Sequence, residues 1–359
     1  MFNHKRLDLA RRRRRLTNKK LSEVTGLTVV TLTRILRGIT ETPSEESVEK
    51  LARALDYPTS FFYGEDFETL NPDGVSFRSL KRMSAKERDA AIAAGELGVE
   101  LFHWLDQHFN LPTLDLPDLS DSPTPEIAAA ELRQHWKLGE KPIGNMVHLL
   151  ESKGVHVLSL SERNNNVDAF SFWLDKQPFV FLNTQKTAEH SIYDAGHELG
   201  HLVLHKLGDL HDHRQIEHEA NQFSAAFLMP EKDVRSAIRR PITPEKIIKS
   251  KKRWRVSAMA LTYRLHKLAF ISDWQYRSMC IELGRRGYRS GEPDGIKRET
   301  SKVWELALTQ LWREKKTTNH IAQETEIPLD ELDYLMFSPN GSKEKTKTSF
   351  VGLKLAQDM

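Results

Sequence analysis

The sequence contains a single cysteine, Cys280, and this scarcity excludes both a disulfide framework and a cysteine zinc cluster. A bound metal ion would therefore have to be held by histidines and carboxylates. No apolar run approaches the roughly 18 residues that a helix needs to cross a bilayer. The first residues carry charges with no apolar stretch behind them, unlike a secretory signal. We therefore expect a cytoplasmic protein with no membrane partner.

The hydrophobic pattern predicts a mainly helical chain with several parts. Short helices fill the first 63 residues, a connecting helix spans 84–109, and a segment rich in proline and aspartate follows to residue 125. No internal repeat is evident, although residues 318–328 have a weak helix-turn pattern that favours a packing module. Strands are expected at 155–160, 167–174 and 178–182, and further helices at 125–136, 146–152, 187–206, 216–229 and 299–337.

The most informative pentapeptide is His197-Glu-Leu-Gly-His201. Histidines four residues apart on a helix share one face, so both imidazoles can bind one ion. Glu198 lies beside the first histidine, where its carboxylate can take a proton from a water molecule that Zn²⁺ activates. We therefore expect a zinc site with His197 and His201 as ligands and Glu198 as the general base.

A third ligand is expected from a later helix, where residues 217–221 supply two candidates. Glu217 and Glu219 point to different sides of a helix, and spacing alone does not decide between them. Asn221 lies one turn beyond Glu217, where it could accept a hydrogen bond from a ligand histidine and set its tautomer. Other polar side chains nearby are expected to be mostly solvated, although any could stabilise an oxyanion: Tyr193, His205, His211, His213 and His218.

The strands at 167–174 and 178–182 are joined by a short turn and predict a hairpin. A peptidase must hold its substrate extended, and a free sheet edge does so by adding the substrate as a strand. Alternating aromatic residues of this kind more often belong to a core. Both interpretations of the hairpin stay open on the sequence.

Residues 16–28 predict a capped helix followed by a tight turn, in which Thr17 is a candidate N-cap and Gly26 permits a left-handed conformation. A second helix then runs to Gly38. In a helix-turn-helix unit the start of this second helix enters the major groove of DNA. The alternative is a small bundle that binds protein. The expected DNA contacts are the outward positions Thr28, Val29, Val30, Thr33, Arg34 and Arg37.

Net charge is only +3, but residues 11–15 are all arginine and residues 249–255 form a second basic stretch. Such runs are usually solvated faces. Because the first run lies beside the helix-turn-helix motif, we expect it to contact phosphate groups of DNA.

These motifs resemble two known families joined in one chain. Residues 5–62 resemble the XRE (lambda repressor-like) helix-turn-helix domain, notably in Gly26-Leu-Thr28 and Leu32-Thr-Arg-Ile35. Residues 125–270 resemble the ImmA/IrrE metallopeptidases, in the pentapeptide above and in residues 217–230. Carried over by position, the resemblance implies that His197, His201 and Glu217 bind zinc and that Glu198 is the base. Gly196 and Ser224 stand where that family commonly has alanine.

We therefore predict a mostly helical α+β protein. The resemblance implies a regulator that binds double-stranded operator DNA and cleaves a protein, such as a repressor, in a stress or mobile-element response. The alternatives are a transcription factor whose peptidase fold only senses a ligand or partner, and an antitoxin; a homodimer is the default assembly. The expected parts are a five-helix lambda repressor-like domain (1–66), a connector and linker (67–122), a zincin-like domain with a small, mainly antiparallel sheet (123–275), a helical extension (276–340) and a charged tail (341–359).

Overall fold

The computed structural model of the protein describes residues 1–71, 75–77, 83–160, 168–205 and 212–337. Helices surround one four-stranded sheet, which is the α+β architecture that the sequence predicts. The predicted tail at 341–359 and His211 lie outside the described residues. Within these ranges, no helix is both long enough and apolar enough to span a bilayer.

The N-terminal domain has the predicted helices and caps. Thr17 and Thr28 accept hydrogen bonds from the backbone N–H groups of Lys20 and Thr31 at the starts of two helices. Gly26 between them has a φ of 71°, in the left-handed region that favours glycine. The fifth predicted helix is a short 3₁₀ turn. The elements are α1 (His4–Arg13), α2 (Asn18–Thr25), α3 (Val29–Leu36), α4 (Glu45–Leu55) and the 3₁₀ helix Thr59–Tyr63.

The sheet contains the predicted strands and one that the sequence did not predict. Its spatial order is β1-β3-β4-β2, with β2 parallel to β4 and the other two pairings antiparallel. Asp175 and Lys176, with φ of 45° and 67°, form the two-residue turn of the hairpin. The unpredicted strand is β1, from the connector. The strands are β1 (Val75–Phe77), β2 (His156–Leu160), β3 (Ala169–Leu174) and β4 (Gln177–Asn183).

The two faces of the sheet belong to two different cores. One face carries phenylalanines and packs against α5 (Ala85–His108), where a Cβ atom on Gly98 would lie 2.6 Å from the ring of Phe181. The opposite face, with Val180 and Leu182, packs against α8 (Ala188–Leu204). The helix α5, predicted as a connector, therefore forms the layer that covers the phenylalanine face of the sheet.

The remaining helices cover the α8 side of the sheet. The proline-rich segment before α6 is held against this layer rather than hanging free, because Leu119 N–H donates to the carbonyl of Val203 and Asp115 N–H to that of Lys153. The helices are α6 (Pro125–His135), α7 (Met146–Ser152), α9 (His213–Leu228), α10 (Glu231–Ala237), α11 (Pro244–Trp254), α12 (Ala258–Lys267) and α13 (Asp273–Arg285).

The last three helices share two local features with α2 and its turn. They are α14 (Lys302–Arg313), α15 (Thr318–Thr325) and α16 (Leu329–Leu335). Thr25 and Thr325 each donate a side-chain hydrogen bond to the carbonyl four residues earlier. Each is followed by a left-handed residue, Gly26 in one unit and Glu326 in the other.

Candidate metal centre and nucleic-acid interface

Two closely packed helices, α8 and α9, carry the candidate ligands. Glycines on α8 allow the close approach: a Cβ on Gly196 would lie 2.7 Å from Ser224 Oγ, and one on Gly200 would lie 3.2 Å from the Cα of Ala220. Ser224 Oγ donates to the carbonyl of Tyr193 on α8. Gly196 and Ser224 therefore fit each other, because the space beside Gly196 accommodates the hydroxyl of Ser224.

His197, His201 and Glu217 converge on one point, with ligand atoms that all lie within 4.8 Å of one another. The two Nε2 atoms are 3.0 Å apart, and Glu217 oxygens lie 3.3 Å from His201 Nε2 and 3.6 Å from His197 Nε2. Two imidazole nitrogens and one carboxylate are one of the donor sets found in catalytic zinc sites. The residues present therefore fit a zinc ion.

The third candidate ligand is held in its anionic form. Burial would raise the pKa of Glu217, but hydrogen bonds and charge interactions with His197 and His201 lower it to about 2. Glu217 therefore carries the negative charge that a metal cation requires at neutral pH.

Glu198 is completely buried beside the histidines and contacts the sheet. The hydroxyl of Ser171, in the middle of β3, donates a 2.6 Å hydrogen bond to Glu198 Oε2. Sequence reasoning missed Ser171, because a serine inside a strand carries no signal of its own. The bond orients the carboxylate and places β3 directly against it.

Behind the ligands, a chain of hydrogen bonds runs from His201 to His205 and then to Glu219. His201 Nδ1 and His205 Nδ1 are 3.1 Å apart, and His205 Nε2 lies 3.0 Å from Glu219 Oε2. Glu219 thus contacts His205, whereas Glu217 is the carboxylate grouped with His197 and His201. If His205 donates through Nε2, its Nδ1 accepts from His201, which leaves His201 Nε2 as the ligand atom.

The start of α3 is open to solvent, as a DNA-reading helix must be. Val29 and Val30 are 49% and 70% exposed, and Arg34 and Arg37 are also exposed. Thr28 and Thr33 are partly engaged by their own helix: Thr28 caps it, and the Thr33 hydroxyl donates to the carbonyl of Val29.

Comparison with known families matches both parts of the chain. Residues 7–62 match the family model described as helix-turn-helix, and residues 150–266 match a peptidase-family model described as IrrE N-terminal-like domain. The chain thus joins a segment similar to helix-turn-helix domains to a segment similar to the IrrE N-terminal-like domain. His197, His201 and Glu217 all lie within the residues matched by the second model. No curated protein matches the chain.

Asn221, predicted as a partner of a metal-binding histidine in the IrrE-like domain, uses its side-chain amide on its own helix. The side-chain amide of Asn221 donates to the carbonyl of Glu217 at 2.7 Å, because one turn along a helix this carbonyl is its nearest acceptor. This bond occupies the amide nitrogen of Asn221, and His201 Nδ1 faces His205. The Tyr193 hydroxyl is also used within the scaffold, since it donates to the carbonyl of Asn221.

The arginine run of the helix-turn-helix domain faces the protein and not solvent, which corrects its expected role as a phosphate contact. Arg12 pairs with Glu96 on α5 at 2.7 Å, and Arg13 pairs with Glu331 on α16 at 2.8 Å. Among the basic residues of the second stretch only Lys251 is buried, among Glu189 and other carboxylates; Lys249, Lys252 and Arg253 are exposed, as expected of a solvated face. A run of charged residues in the sequence does not show which groups each charge will pair with, because those partners are brought in by tertiary packing.

Proposed function

We propose that the chain is a DNA-binding transcriptional regulator whose IrrE-like domain is a zinc-dependent endopeptidase that cleaves a repressor or another regulatory protein. The observation that carries the proposal is the convergence of His197, His201 and Glu217 beside a buried Glu198. The open face of α3 supports the DNA-binding half. The same proposal places the protein in the cytoplasm, where its DNA and protein partners would be.

The proposed roles follow from the contacts of each side chain. His197, His201 and Glu217 would hold zinc, which when bound supplies a Lewis acid for activating water and polarising a peptide carbonyl. Glu198 would accept the proton of the attacking water and later deliver it to the leaving amine. Ser171 holds one oxygen of Glu198 and thereby restricts the carboxylate to one orientation.

A cavity beside the site could hold a side chain of a protein substrate. It has a volume of about 230 Å³ and is lined by Leu116, Trp173, Leu202 and His205 among others. The apolar walls favour an apolar side chain. This arrangement is what supports a protein substrate over a small charged molecule.

The decisive experiment compares Glu198→Gln with the native chain. We expect the variant to keep its zinc, because Glu198 is not a ligand, and to lose proteolysis, because an amide cannot accept the proton. Zinc content is measured by mass spectrometry. Proteomics of cells carrying either form should then show one DNA-binding protein that accumulates only with the variant. If regulation by the variant is normal while its zinc content is unchanged, the peptidase fold acts as a sensor and the endopeptidase proposal fails.

A further inference from the structure

The contact between Glu198 and β3 defines where a substrate would have to pass. Ser171, which touches Glu198, is paired through one edge of β3 with Val180 of β4. A polypeptide that joins the sheet next to Glu198 must therefore use the opposite edge of β3. Strand addition of this kind supplies main-chain hydrogen bonds for an extended peptide.

In the structure, β1 occupies that edge. Val75–Phe77 pairs antiparallel with residues 170–172, and Ser76 lies directly opposite Ser171. Paired Cα atoms of antiparallel strands are about 4.5–5.5 Å apart, and opposite residues place their side chains on the same face. Ser76 is half-buried and thus shares with Ser171 the face towards α8 and Glu198. Val75 packs into the core on the other face.

We infer that β1 occupies the substrate-binding edge of the peptidase domain, so that a protein substrate binds only when β1 leaves. This inference rests on the endopeptidase function proposed above. A strand of three residues makes few hydrogen bonds and can be displaced without unfolding the sheet. The resident strand also indicates the substrate class: an extended polypeptide segment with a small side chain in the place of Ser76, between two apolar residues.

The test uses the zinc-loaded full-length chain and two hydroxamate ligands that differ in how much of the proposed site they need. Acetohydroxamate needs only the metal, whereas a tripeptide hydroxamate also needs the edge of β3. Ser76→Pro removes a backbone N–H and favours detachment of β1, and Val75→Asp places a charge against the core beneath the same strand. Ser76→Thr is the matched control, because a β-branched residue keeps the strand. Binding is measured by calorimetry.

We expect both detaching variants to bind the tripeptide hydroxamate about tenfold or more tightly than the native chain. In the variants most molecules would have the edge of β3 open, whereas in the native chain only a small fraction would. Ser76→Thr and the native chain should agree, and acetohydroxamate should bind all four proteins equally. Faster hydrogen exchange at residues 170–172 in the two variants, read without metal, would show that β1 had left.

Two negative outcomes are distinguishable. If the exchange data show β1 detached but tripeptide affinity is unchanged, β1 does not occupy the substrate edge and the inference is overturned. If acetohydroxamate binds none of the proteins, the zinc site itself is absent and the proposed function fails with it.

Discussion

At the scale of single residues, the metal centre is organised in layers. Glu217 touches both ligand histidines, His205 touches one of them from behind, and His218 lies exposed on the same helix as Glu217. On the sequence, Glu217 was a candidate third ligand, and His205 and His218 were both expected to be mostly solvated. The structure separates His205 from His218, and this difference can be measured as zinc affinity.

We expect zinc affinity to fall in the order of these layers. His205→Gln should lower the affinity by about 10–100-fold, the usual cost of losing an outer-shell partner. Glu217→Gln should lower it further, because a neutral amide replaces an anionic ligand. His218→Gln is the control and should leave affinity unchanged. Competition with a fluorescent chelator measures all three, and an effect of His218→Gln as large as that of Glu217→Gln would contradict the assignment.

Arg34 on α3 and Arg37 at its C-cap are exposed cations next to the expected DNA-reading face, whereas Arg12 and Arg13 of α1 are paired within the protein. Loss of one phosphate contact should reduce the slope of log affinity against log salt by about 1. We therefore expect Arg37→Met to weaken binding and flatten this slope. Arg289→Met, at an exposed position of the C-terminal part, is the control. Equal slopes for native protein and Arg37→Met, measured by fluorescence anisotropy, would exclude a phosphate contact there.

At the scale of elements, the α2–α3 unit and the α15–α16 pair differ in what they contact. The start of α3 is exposed, whereas α16 packs on β2 and pairs with α1 through Glu331. Its Glu331 accepts hydrogen bonds from Arg13, Arg14 and Tyr57. An acidic helix in this position cannot read DNA, and the predicted packing module is therefore confirmed for α15 and α16.

Burial opposes the charge of Arg13, and Glu331 more than offsets it, so that the pKa of Arg13 is raised. Removing one partner of a buried ion pair costs about 3–5 kcal/mol. We expect Glu331→Ala to lower the free energy of unfolding by this amount in urea denaturation. Glu46→Ala, which breaks an exposed pair with Lys50, should change it little. Similar losses of unfolding free energy in both variants would show that the buried ion pair stabilises the protein no more than the exposed pair does.

At the scale of the whole molecule, the parts predicted as separate share one core. The helices of the N-terminal domain, α5, the phenylalanine face of the sheet and α14–α16 form a single cluster of buried side chains. The helix α5, predicted as a connector, thus packs against the N-terminal domain and against the sheet. A boundary at residue 123 would separate the sheet from α5.

Two fragments test this shared core. A fragment of residues 123–337 would lack α5 and expose Phe170, Phe172, Phe179 and Phe181. We expect it to aggregate or to bind a hydrophobic dye, since large apolar patches are sticky in water. A fragment of residues 67–337 keeps β1 and α5 and should show a cooperative thermal transition by circular dichroism. A stable, dye-free 123–337 fragment would instead support an independent domain.

The sequence alone determined the local features, because their causes lie within one turn or one hairpin. The spacing of His197 and His201, the caps Thr17 and Thr28, and the turn between β3 and β4 all depend on neighbours a few residues away.

Tertiary structure alone decided the features that join distant segments. The docking of α9 on α8 brings Glu217 next to His197 and His201 and brings Glu219 next to His205. Ser171, on a separate strand, binds Glu198. Arg13 on α1 pairs with Glu331, which is 318 residues away in the sequence, and β1 pairs with one edge of β3. Such contacts depend on how whole elements pack together, and no local pattern of side chains encodes that arrangement.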